Sequence, residues 1–164
     1  MDLANRKPNR LLGFEYTTDY GYFITICAKN RQNLFWKDVG ADSIRPQTSS
    51  HLSAAGLIVQ STIESISVFY PACFVDKYCI MPNHVHLILL PPSQDSGRIL
   101  SAPTISTIIG QMKRAASKAI GYPIWQKSFY DHIIRGEQDY REIWQYIENN
   151  PIKWEQDRFF TTDL

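Results

Sequence analysis

Apolar residues recur along this chain with two different periods, which predict four strands and three helices. Aromatic and β-branched runs are typical of strands, and they cover residues 22–28, 73–81, 85–90 and 125–135. Apolar residues spaced by three and four are typical of helices, and they cover residues 52–70, 103–120 and a stretch from about 138. The predicted order is therefore β-α-β-β-α-β-α.

This order predicts an α+β fold of the ferredoxin-like, split βαβ type. In that plan an antiparallel sheet carries two helices on one face, and here a further C-terminal helix follows the last strand. The chain has 164 residues, 44% of them hydrophobic and 20% charged, so we expect one globular domain over residues 1–164. No run is long enough to cross a bilayer, no signal peptide is evident, and three cysteines without metal spacing indicate reduced thiols. These features together predict a cytoplasmic protein without a membrane partner.

Charge is nearly balanced, so any nucleic-acid surface must be local. The chain has 17 Lys plus Arg against 16 Asp plus Glu, a net charge of +1. Arg6, Lys7 and Arg10 lie in a polar arm of about twelve residues, which is either an extended basic arm suited to an anionic surface or a frayed terminus. Arg114 and Lys118 share one face of the second helix, which is either a phosphate-binding face or a solvated one.

His84 and His86 are candidate metal ligands. They follow the Pro82-Asn83 turn between two predicted strands. Residues i and i+2 of a strand point to the same face, so the two imidazoles are expected side by side. This pair is half of a metal site, although the spacing does not identify the metal.

Several separated motifs resemble one family. Residues 78–86 read Tyr-Cys-Ile-Met-Pro-Asn-His-Val-His, residues 125–126 read Trp-Gln, and residues 129–135 read Phe-Tyr-Asp-His-Ile-Ile-Arg. The series closes with Tyr-Ile at 146–147 and Asn-Pro at 150–151. In this order the motifs resemble the single-tyrosine HUH transposases, and among these the REP-associated tyrosine transposases of bacteria.

The resemblance implies a homodimeric transposase that binds DNA hairpins and cleaves the adjacent single-stranded DNA through a 5′-phosphotyrosine intermediate. It also implies a divalent metal, Mg²⁺ or Mn²⁺, held by the two histidines and by a polar side chain of the tyrosine-bearing helix. Asn150, one turn after Tyr146, is the expected third ligand, and Glu142, one turn before it, is the second choice.

Tyr130, Tyr140 and Tyr146 are the three tyrosines considered as the nucleophile. Tyr140 falls in the apolar stripe with Ile143, which indicates a core position. Tyr146 lies about 110° round the helix from the middle of that stripe, at about 100° per residue. Its position and its match to the family's Tyr-Ile motif make Tyr146 the expected catalytic residue, and Tyr130 the next alternative.

Two other functions share part of this sequence pattern. The two-histidine phosphoesterases that act on RNA ends require a second HxT or HxS motif, which this sequence lacks. A non-catalytic, ferredoxin-like nucleic-acid-binding protein needs only aromatic platforms and basic loops, and 13% of these residues are aromatic. Core packing accounts equally well for those aromatic residues. The formation of a covalent adduct with DNA separates the enzyme from the binding protein.

Overall fold

The computed structural model describes residues 21–37, 51–91 and 104–161. The strands are β1 (Tyr22–Cys27), β2 (Phe74–Ile80), β3 (His84–Leu90) and β4 (Tyr130–Ile133). The helices are α1 (Ala54–Glu64), α2 (Ile66–Phe69), α3 (Ile105–Ile120) and α4 (Glu137–Asn149), with short 3-10 helices at Lys29–Arg31 and Pro151–Gln156. The basic arm predicted at residues 1–12 lies outside the described residues.

The strands form one four-stranded sheet in the order β2-β3-β1-β4. All three neighbouring pairs are antiparallel, and His84 of β3 lies opposite Cys27 of β1. The predicted α+β class is therefore confirmed. β3 lies between β1 and β2, and this is the strand order that a split βαβ plan requires.

The two faces of the sheet are covered by different helices. Side chains on a strand alternate between these faces. On β3, Val85, Leu87 and Leu89 pack with α1 and α3 in the main core. Ile88 faces the other way and packs with Ile143 of α4. His84 and His86 share the face of Ile88, so α1 and α3 cover one face and α4 covers the face of the histidines.

Two predicted elements differ in extent from the observed ones. The helix expected over residues 52–70 is divided at Ser65, whose hydroxyl donates to the carbonyl of Ser61 at 2.7 Å. The strand expected over residues 125–135 is regular only from Tyr130 to Ile133. Lys113 contributes to this difference, because its amine binds the carbonyls of residues 126–128, which are then not used for strand pairing.

Trp144 lies at the border between the packed and the exposed side of α4. The residue is 36% exposed, and the amine of Lys77 lies 4.1 Å from the centroid of its ring. An indole often occupies such a border, because one edge packs while its face holds a cation.

Candidate metal centre and nucleophile

His84 and His86 are the first and third residues of β3, directly after the turn, and both are buried, with 0% and 1% of their surface exposed. Their Nε2 atoms are 3.0 Å apart. The predicted pairing of the two imidazoles on one face is therefore what the structure has.

Asn83 sets the orientation of His84. Its amide nitrogen donates to the carbonyls of Phe159, at 2.7 Å, and Arg31, at 3.3 Å. The amide oxygen then lies 2.8 Å from Nδ1 of His84. Because an amide oxygen only accepts hydrogen bonds, Nδ1 carries the hydrogen, and the lone pair of Nε2 remains free.

Thr25 of β1 plays the corresponding role for His86. Its hydroxyl lies 2.8 Å from Nδ1 of His86, and it accepts from that nitrogen when Nε2 binds a metal. Burial lowers the pKa of His86 to about 3, with a smaller effect from Arg158. Burial also lowers the pKa of His84 well below its ordinary value, followed by the effect of His86. Both imidazoles are therefore neutral at neutral pH, which is the form that binds a metal.

Asp157 is the third member of the cluster, and it was not expected from the sequence. Its Oδ2 lies 3.8 Å from Nε2 of His84, and only 1% of its side chain is exposed. The other oxygen, Oδ1, accepts from the backbone N–H of Phe159 at 2.7 Å. Burial raises the pKa of this carboxyl, while the N–H of Phe159, Arg158 and Asn150 act in the opposite direction.

These atoms fit a divalent cation. The ligand atoms of His84, His86 and Asp157 all lie within 4.8 Å of one another, and we call this group the metal centre. Two ligands at right angles on an octahedral cation, each about 2.1 Å from it, are separated by about 3 Å. The observed Nε2–Nε2 distance is 3.0 Å. Two neutral imidazoles and a buried carboxylate thus form a donor set for a divalent metal.

Asn150, the third ligand expected from the sequence, lies beside the metal centre. It is 4% exposed, and its Nδ2 has no hydrogen-bond partner among the described residues. Its amide lies near Tyr146 and Asp157, and it partly offsets the burial that raises the pKa of both groups. Glu142, the second choice, is instead exposed and accepts from Gln138 on the surface of α4.

Tyr146 brings its hydroxyl to the metal centre. The hydroxyl oxygen is 3.5 Å from Nε2 of His86, and the ring packs edge-on against Phe23 with centroids 6.0 Å apart. The residue is 43% exposed, so one side of it faces solvent. Burial of the remainder raises the pKa of Tyr146, and Asp157 adds to that effect.

The other two tyrosines are placed differently. The hydroxyl of Tyr140 donates to Asp76 at 2.5 Å, on β2. Tyr130 lies in register with Thr25 on β1, and Thr25 lies in register with His86. Tyr130 therefore shares the face of the histidines, but it is two strands away from His86, a backbone separation of about 10 Å.

The basic residues of α3 lie away from the metal centre. Arg114 and Lys118 are both exposed. Their helix packs on the opposite face of the sheet from the histidines. Any DNA that they bind would thus lie on the other face of the sheet from the metal centre.

None of the helices in residues 21–37, 51–91 and 104–161 is long and apolar enough to cross a membrane.

Three relatives are similar in sequence. An uncharacterised protein of Haemophilus influenzae is 32% identical over 96% of this chain and 94% of its own length. A putative REP-associated tyrosine transposase of the same organism is 29% identical over 67% of this chain and 66% of its own length. The REP-associated tyrosine transposase of Escherichia coli K12 is 31% identical over 48% of this chain and 44% of its own length. No family model matches the chain.

A solved structure of a transposase is similar in fold. A REP-associated tyrosine transposase bound to a REP hairpin superimposes with a TM-score of 0.61, over 88% of this chain and 73% of that one. The two sequences are 23% identical. This likeness establishes the same α+β sheet architecture in a second protein.

Proposed function

Since the chain belongs to the family of REP-associated tyrosine transposases, we propose that it cuts and rejoins single-stranded DNA beside a hairpin by transesterification. Tyr146 is the proposed nucleophile. His84 and His86 are the proposed ligands of Mg²⁺ or Mn²⁺. The observation that carries this proposal is the 3.5 Å distance between the Tyr146 hydroxyl and Nε2 of His86.

In the cleavage step the Tyr146 oxygen attacks the scissile phosphorus. A new bond forms between phosphorus and the tyrosine oxygen, and the bond between phosphorus and the 3′-oxygen breaks. The leaving 3′-oxygen takes up a proton and becomes a free hydroxyl. The phenol proton is lost to solvent from the exposed side of Tyr146, which is 43% exposed. The product is a 5′-phosphotyrosine.

Burial raises the pKa of Tyr146, so the nucleophile is not activated by a lowered pKa. Stabilisation of the scissile phosphate must then come from the metal centre. A bound divalent cation would polarise the scissile phosphate and stabilise the charge that develops on its oxygens. The chain's own contribution is orientation: Asn83 and Thr25 hold the two imidazoles with their Nε2 atoms 3.0 Å apart.

Two residues beside the histidines are proposed as candidates for the third metal ligand. Asn150 is retained as expected from the sequence, and Asp157 is added because its carboxylate lies 3.8 Å from His84. An oxygen ligand suits a hard cation, and an ionised carboxylate binds it better than an amide does.

Joining reverses the same chemistry. The phosphotyrosine ester retains the energy of the broken bond, so a 3′-hydroxyl of a second strand attacks phosphorus and releases Tyr146. No ATP is required. Cutting and joining thus use the same residues.

The partners follow from the family. We propose that the chain binds a DNA hairpin, as the similar solved protein does, and that it acts as a homodimer. Light scattering on the purified protein should then give twice the mass of one chain, 18.9 kDa. A mass equal to one chain would remove the homodimer from the proposal and leave the chemistry unchanged.

The test of the activity is a denaturing gel. Protein is incubated with Mn²⁺ and single-stranded DNA that carries the repeats flanking its gene, and a covalent protein–DNA band is expected. Chelation of the metal should remove the band, as should Tyr146→Phe, which deletes only the attacking oxygen. Hairpin binding without any covalent band would favour a non-catalytic nucleic-acid-binding protein.

A further inference from the structure

Arg31 and Arg158 place their guanidinium groups near one aromatic ring, that of Phe159. The Cζ atoms are 5.4 Å and 4.6 Å from the centroid of this ring. The same ring is 4.6 Å, centroid to centroid, from the imidazole of His84. Two cations therefore lie at the rim of the metal centre, although one follows β1 and the other follows the last 3-10 helix.

Neither guanidinium forms an ion pair among the described residues. No carboxylate among the described residues lies within 4.0 Å of either one, whereas Arg141 on α4 pairs with Glu137. Both Arg31 and Arg158 are exposed. The rim thus carries two positive charges that no described side chain pairs.

The backbone holds Arg31 at this rim in an unusual conformation. Asn30 and Arg31 have φ angles of 55° and 53°, in the left-handed region. The carbonyl of Arg31 accepts from the amide of Asn83, at 3.3 Å, and from the hydroxyl of Thr161, at 3.4 Å. The strained turn is therefore fixed to the residue that also orients His84.

We propose that Arg31 and Arg158 form a phosphate clamp, which binds the backbone of the single strand on the phosphates next to the bond that is cut. A guanidinium recognises phosphate with two parallel N–H donors, and it stacks on an aromatic ring while its edge stays free to donate. The clamp contacts only phosphates, so it binds any DNA sequence, and it positions the strand for attack by Tyr146. It rests on the proposed function, because that function defines the strand at the metal centre.

Binding is measured without chemistry, in a Tyr146→Phe background, by fluorescence anisotropy with labelled oligothymidylate and Mn²⁺ over a salt titration. This probe has neither hairpin nor sequence. The Arg31→Gln/Arg158→Gln double variant should bind on the order of tenfold more weakly, and the slope of log affinity against log salt should fall by about 1.4, at about 0.7 per phosphate contact on a single strand. Arg141→Gln is the matched control, and it should keep the parent affinity and slope.

Cleavage by the protein that retains Tyr146 gives the second readout. The double arginine variant should raise KM for DNA more than it lowers kcat, because a clamp positions the strand and leaves the reacting groups in place. Equal affinity and equal salt slope in the double variant, or no binding of oligothymidylate by the parent, would overturn the clamp. Failure of the proposed function would show differently, as the absence of a covalent adduct in the unmutated protein.

Discussion

At the scale of single residues, the hydroxyl of Thr25 is the contact that fixes His86. Thr25→Val keeps the shape of the side chain but removes the partner of Nδ1, 2.8 Å away. Loss of such a supporting contact lowers metal affinity by about 10- to 100-fold. We expect that loss for Mn²⁺ in calorimetric titrations. Thr62→Val, which removes a hydroxyl from α1, should bind Mn²⁺ normally, and an unchanged Mn²⁺ affinity in Thr25→Val would refute this role.

A second residue-scale prediction separates the two proposed third ligands. Asp157→Asn removes the charge of a carboxylate 3.8 Å from His84, and Asn150→Ala removes an amide that is 4% exposed. Because a hard cation prefers a carboxylate, Asp157→Asn should weaken Mn²⁺ binding by a larger factor. The measurement is a Mn²⁺ titration of both variants beside Glu142→Gln as control. A larger loss in Asn150→Ala would make Asn150 the principal third ligand.

The side-by-side placement of His84 and His86 could be predicted from the sequence, and the position of Asp157 beside them could not. His84 and His86 are two positions apart on a strand, so their common face follows from local geometry. Asp157 reaches them only because the chain turns at Pro151 and a 3-10 helix brings it back over the histidines. No spacing rule relates Asp157 to residues more than seventy positions earlier in the sequence. The same turn of the chain places Phe159 beside His84 and Arg158 at the rim of the metal centre.

At the scale of elements, Gly56 determines how closely α1 packs on the segment before it. A Cβ on Gly56 would lie 2.2 Å from the carbonyl oxygen of Phe35, whereas one on Gly110 of α3 would be 3.9 Å from its nearest neighbour, Arg114. Gly56→Ala should therefore cost about 1–3 kcal/mol of the free energy of unfolding. Gly110→Ala should increase it by about 0.5–1 kcal/mol, because alanine favours the helix.

Urea denaturation of both glycine variants checks this pair of predictions. The two changes have opposite expected signs although both place alanine in a helix, so helix propensity alone cannot produce the result. If Gly56→Ala proved as stable as the wild type, α1 would have room to move away from Phe35, and the close approach would not be a constraint.

The elements were predictable where periodicity is strong and less so where side chains compete with the backbone. β1, β3 and α3 were expected nearly at their observed bounds, because their apolar residues have one clear period. The last strand is shorter than expected. Its first residues lie where Lys113 binds three successive carbonyls, a contact between distant positions that no local pattern contains.

At the scale of the whole molecule, DNA binding should involve surfaces that the metal centre does not include. Arg6, Lys7 and Arg10 lie outside the described residues and remain a predicted DNA-contacting arm. Replacing all three by Gln should weaken hairpin binding and reduce the dependence of affinity on salt, because fewer counterions are released. Anisotropy with a hairpin probe measures both quantities. Unchanged affinity at every salt concentration would mean that the arm does not contact DNA.

The proposed chemistry depends on which atom of the protein becomes joined to DNA. The most direct measurement is mass spectrometry of the covalent adduct after protease and nuclease digestion, with the protein incubated with Mn²⁺ and the proposed hairpin substrate. The residual nucleotide is predicted on the peptide that contains Tyr146, and Tyr146→Phe should yield none. A nucleotide attached to Tyr130 or Tyr140, or an adduct that persists in Tyr146→Phe, would contradict the assignment of the nucleophile.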